Sequence, residues 1–153
     1  MLNIKYYFAA HKNILSSCIR DILLCIFSFI EQVSDSVRME IDEGDVFVSQ
    51  VYGEGKKRTL RLTKNNITIL QAVWRDLIVA SMEAKKDKII DEEFALGDRI
   101  KVTCNTDYPN INFRRWRKVS YNGEVYPSDH GFILKEDDFP IFEKNLKYFL
   151  ENC

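Results

Sequence analysis

The spacing of apolar residues changes along the chain, and each change marks an element. Ile14, Leu15, Cys18, Ile19, Ile22, Leu23, Ile26, Phe29, Ile30 and Val33 recur three and four apart, which predicts one helix with a wide apolar face. Asp35 to Asp45 is polar and acidic and reads as a linker. Val46-Phe-Val-Ser-Gln-Val-Tyr52 is β-branched and aromatic, a strand. Gly53-Glu-Gly55 is a turn, and the alternating Lys56–Leu62 is the returning strand. Thr63 is a good N-cap, and Ile67, Leu70, Trp74, Leu77 and Ile78 line one face of the helix it opens. Met82 to Asp91 is a charged connection.

A second sheet segment opens with Phe94 to Val102. Tyr108-Pro-Asn is a turn, Ile111 to Val119 a strand, and Asn122-Gly123 a hairpin signal. Val125–Tyr126 and Gly131–Leu134 flank a Pro-Ser-Asp-His loop. A last helix carries Phe139, Phe142, Leu146, Phe149 and Leu150 on one face. Pro140 is tolerated only in a first turn, so this helix starts close to Glu136.

The two halves can be superposed. Leu62–Leu70 lies on Leu134–Phe142, so that Ile67, Leu70, Trp74 and Leu77 fall on Phe139, Phe142, Leu146 and Phe149. Gly44-Asp45 likewise echoes Gly97-Asp98. Either this is a degenerate repeat or any strand-into-helix junction looks alike. The expected class is α+β: an antiparallel sheet backed by a C-terminal helix, with a degenerate second copy and an added N-terminal helix. The divisions fall at 1–38 (helix and linker), 39–91 (hairpin plus helix) and 92–153 (sheet plus helix).

Composition narrows the picture. The chain has 153 residues, 46% hydrophobic and 29% charged, enough to bury a core. Its net charge of −1 means that any anion-binding site is a local patch. The stretch Ile22–Ile30 is too short for a membrane span and no small-x-small site follows it, so neither membrane nor signal peptide is expected. Cys18, Cys25, Cys104 and Cys153 form no C-x-x-C pair, and His11 and His130 stand far from them. A metal site and a disulfide framework are therefore not expected, and Cys18 and Cys25, seven apart in a helix-like segment, read as buried thiols in a reducing compartment.

One stretch carries candidate chemistry. Tyr108 to Gly123 holds no acidic residue, while Arg114, Arg115, Trp116, Arg117 and Lys118 follow one another. Cations hold phosphates and aromatic faces stack on bases, a combination suited to a single nucleic-acid strand. Alternation puts Phe113, Arg115 and Arg117 on one face and Arg114, Trp116 and Lys118 on the other, and both faces are basic. Trp116 reads equally as a stacking platform or a core anchor. The basic residues read also as an edge strand that charge keeps from aggregating. Lys56, Lys57, Arg58 and Arg61 form a second cluster: an import signal, a second contacting hairpin, or a solvated strand.

With these residues in view, Phe94 to Leu150 resembles the single-stranded-DNA-binding domain of the positive cofactor four family of transcriptional coactivators. The resemblance rests on Gly97, the basic strand Ile111–Val119, Gly123-Glu124, the Gly-led strand Gly131–Leu134, and Phe139 opening a helix. It implies a curved four-stranded antiparallel sheet with a helix behind it, units paired through their helices, and a sheet face that binds single-stranded or melted DNA. It assigns Arg99, Lys101, Tyr108, Arg115 and Arg117 to that face. Two positions depart from it: Pro109 and Ile111 replace a basic pair, and Ser128-Asp129-His130 replaces a basic loop.

The expectation is a nuclear protein (cytoplasmic or in the nucleoid if the source is not a eukaryote or its virus) without cofactor or enzymatic activity, acting in transcription as a coactivator or in replication as an accessory. It binds single-stranded DNA, or RNA, through Arg99, Lys101, Tyr108, Arg114, Arg115, Trp116, Arg117 and Lys118, and meets the transcription machinery. It pairs as a homodimer or as an internal pseudo-dimer. The alternative is a protein–protein interaction module, supported by the apolar Ile14–Val33 face. No P-loop, dinucleotide fingerprint or H-E-x-x-H is present.

Overall fold

The computed structural model describes residues 29–86, 88–119 and 121–153. Two units follow one another, each with four antiparallel strands and then a helix. The first has β1 (Phe29–Gln32), β2 (Val37–Asp42), β3 (Asp45–Tyr52), β4 (Lys56–Leu62) and α1 (Lys64–Ala84). The second has β5 (Asp91–Gly97), β6 (Ile100–Asn105), β7 (Ile111–Lys118), β8 (Val125–Leu134), a 3-10 turn (Glu136–Asp138) and α2 (Phe139–Asn152). The class is α+β, as expected.

Several boundaries differ. The tail of the expected N-terminal helix, from Phe29, is strand β1; the remainder of that helix lies outside the described residues. The expected linker contains β2, where Val37, Met39 and Ile41 are buried and alternate with polar Arg38, Glu40 and Asp42. A period of two, with one face covered, outweighs an acidic composition. Phe94–Val102 is a hairpin rather than one strand, because Asp98 and Arg99 both take positive φ (50° and 61°) between the paired Gly97 and Ile100. That is the two-residue turn whose twist matches the strands it joins. Pro127 to His130 belongs to β8 and bulges between its pairings with Arg114 and Trp116. Gly44 sits in the second turn of its unit and Gly97 in the first, so the echo between them is not a structural equivalence. Cys104 is a free buried thiol, whereas Cys153 is disulfide-bonded, a correction to the expectation for the cysteines.

The helix caps repeat with the strands. Thr63 Oγ1 accepts from Asn66 N–H, and Asn66 Oδ1 accepts from Thr63 N–H (2.9 Å). Asp138, in the matching place, accepts from Lys135 N–H (3.2 Å). Both side chains are buried. Asn66 also donates to the Leu96 carbonyl (2.8 Å), which ties α1 to the second sheet.

The inner faces of both sheets and the facing stripes of both helices form one continuous core. Phe113 and Phe132 stack at 4.3 Å, and Phe142 of α2 meets both. Trp74 of α1 meets Phe139 and Phe142 of α2 at 5.7 and 5.4 Å, so the two helices touch within a single chain. Each fully buried ring contributes roughly 1.5–3 kcal/mol. The units also interlock along a seam. Gln50 donates to the Ile133 carbonyl (2.9 Å) and accepts from its N–H (3.0 Å), while Arg115 donates to the Arg61 carbonyl (3.1 Å). Val46 pairs with Leu62 as Ile111 pairs with Leu134. Counted from those pairs, Gln50 matches Arg115 and Arg61 matches Ile133, so the two contacts are one contact made twice.

Candidate nucleic-acid interface

Phe113 points into the core, so Asn112 and Arg114 point out of the second sheet. Their partners on β6, Thr103 and Lys101, stand beside them on that outer face. Trp116 joins the group: the Lys101 ammonium lies 5.0 Å from its ring centroid, and its Nε1 is buried without a partner. Lys101, Arg114 and Trp116 therefore form one cluster. Lys101 is also held by Glu93 of β5 at 2.9 Å.

Arg114 is placed by the absence of a side chain opposite. Its partner is Gly131, where a Cβ would come 2.3 Å from the Phe113 carbonyl oxygen and 3.0 Å from Arg114 Nε. The arginine stem lies over this bare backbone, and Nη1 donates to the Ser128 carbonyl (3.1 Å). Burial, and then the like charge of Arg58, push the Arg114 guanidinium below its usual range; Asp129 and Tyr52 pull the other way.

The other expected residues divide. Arg115 turns from the outer face: its β6 partner is buried Ile100, its Nη2 reaches Arg61, and its Nε is buried and unpartnered. Arg117 and Lys118 are exposed at the end of β7, opposite exposed Tyr126 and Val125. Arg99 borders the cluster through its carbonyl, which accepts from Trp116 N–H (2.8 Å). Tyr108 does not join them. It is 64% exposed in the β6–β7 connection, its N–H held by Asn105 Oδ1 (2.8 Å), a strand's length from Trp116.

Sequence reasoning passed over Gln50, Tyr52 and Asn112. Arg58 was visible only as part of a basic run. Its guanidinium lies 3.8 Å above the Tyr52 ring, and its Nε is buried with no partner. Among the described residues no group of three metal-ligating side chains is found, and no helix is long and apolar enough to cross a membrane. No family model, no curated protein and no solved structure matches the chain.

Proposed function

We propose that this chain binds single-stranded nucleic acid on the outer face of its second sheet, as a non-enzymatic accessory of transcription or replication. The observation that carries this reading is the cluster of Lys101, Arg114 and Trp116 on one outward face, bordered by Arg99, Arg117 and Lys118. The cations hold phosphates, and the indole offers a face on which an unpaired base stacks. A base in an intact duplex is already stacked, so the single strand is preferred. The resemblance to the positive cofactor four family supports the same reading, with DNA as substrate and the nucleus as its place of action.

Anisotropy titrations with labelled oligothymidine and a duplex of equal length test this. The expected result is tighter binding of the single strand, with log K falling linearly in log salt by about 0.7 per phosphate contact. Trp116→Ala is expected to weaken binding by about 1–3 kcal/mol. A chain that retains no oligonucleotide at low salt does not have this function. A protein-recruiting module, which Val79 and Met82 exposed on α1 would serve, then takes its place.

A further inference from the structure

The seam between the two units brings together two guanidinium groups that form no ion pair among the described residues, although the charge of Asp129 acts favourably on Arg114. Arg58 stands on β4 of the first unit, paired with Gln50. Arg114 stands on β7 of the second, paired with Gly131. Two contacts fix their proximity. Gln50 is bonded to the backbone of Ile133, two residues from Gly131. His130 Nδ1 donates to the carbonyl of Thr59 (3.2 Å), so the chain neighbour of Gly131 touches the chain neighbour of Arg58.

Both groups are partly withdrawn from water, and Arg114 experiences the charge of Arg58. Among the described residues no carboxylate lies within ion-pair distance of either. By contrast Asp45 holds Arg61, and Glu93 holds Lys101. The Arg58 Nε is buried and bonded to nothing, while the face of its guanidinium rests on Tyr52. Two like charges in a partly desolvated site repel, and the repulsion is relieved by an anion between them. A phosphate fits, because its oxygens accept paired N–H donors from a planar guanidinium.

We propose that Arg58 and Arg114 together hold one phosphodiester of the bound strand, so that the strand crosses from the second unit onto the β3–β4 hairpin of the first. This rests on the single-strand reading above and adds a direction to it. The path leads from Trp116 through Arg114 to Arg58, and the binding surface is built by both halves of the chain. The degenerate first unit is thus a working part of the site.

The test compares wild type, R58Q and R58K in salt titrations with oligothymidines of increasing length. R58Q removes one cation, so the slope of log K against log salt is expected to fall by about 0.7. The affinity gained on lengthening the oligonucleotide should also stop at a shorter length. R58K keeps the charge and the stem over Tyr52 but loses the planar fork, so it should retain the slope with weaker binding. If R58Q folds and matches wild type in both slope and length dependence, the seam site is wrong while single-strand binding stands. If R58Q and R58K lose binding equally and both melt early, Arg58 is structural and the proposal falls. If wild type binds no oligonucleotide, the single-strand reading falls and takes the seam site with it.

Discussion

At the scale of single residues, the proposed interface depends as much on an absent side chain as on those present. Gly131 leaves the space over which the Arg114 stem lies, and a Cβ there would press on the Phe113 carbonyl at 2.3 Å. The obstruction is backbone, which cannot swing aside as a flexible side chain can. Gly131→Ala should therefore cost about 1–3 kcal/mol, as overpacking generally does, and displace Arg114. Urea denaturation measures the first effect and the salt slope of oligonucleotide binding the second. Unchanged stability would mean that β8 shifts freely at its bulge.

At the scale of elements, the junction of β4 with α1 is the most heavily specified part of the first unit. Asn66 is fully buried, closes the cap with Thr63, and donates to Leu96 and Asp98 across the sheet boundary. Asn66→Ala removes a capping partner, worth about 1 kcal/mol, and strands the Leu96 carbonyl, worth about 1–3 kcal/mol more. Asn66→Asp keeps the cap oxygen, loses the donor to Leu96 and adds a charge beside Asp98, so it should fall no less than the loss of that bond requires. Thermal melting of the two variants separates these contributions. If Asn66→Ala melts with wild type, the cap is not what ties α1 to the second sheet.

At the scale of the whole molecule, the two units share one core and are not independent. Trp74 of the first packs on Phe139 and Phe142 of the second, and the paired seam contacts of Gln50 and Arg115 join the sheets. The chain should then unfold in one step. One tryptophan sits in each unit, so Trp74→Phe and Trp116→Phe variants give a fluorescent reporter in the other half. Their urea midpoints, each corrected for the stability change of its own substitution by circular dichroism, should coincide with loss of secondary structure. A fluorescence transition separate from the circular dichroism transition would show that the units fold apart.

Much of this architecture is legible in the residues because local physics decides it. The three-four spacing of Ile67, Leu70, Trp74 and Leu77 and of Phe139, Phe142, Leu146 and Phe149 places both helices and their buried faces. The correspondence between them, at a constant offset along the chain, extends in the structure to the caps at Asn66 and Asp138. The basic aromatic strand is equally plain, since charge and ring content need no partner to be seen. What stayed hidden is whatever depends on groups distant in sequence. Val37, Met39 and Ile41 make a strand inside an acidic stretch only because a core waits beneath them. Arg114 and Arg115 are adjacent and chemically alike, yet one faces outward over Gly131 and the other reaches the carbonyl of Arg61. Alternation places them on opposite faces, but it cannot say which face is covered. That is decided by where the second sheet, the two helices and the β3–β4 hairpin come to rest, and so only the tertiary structure brings Arg58 beside Arg114.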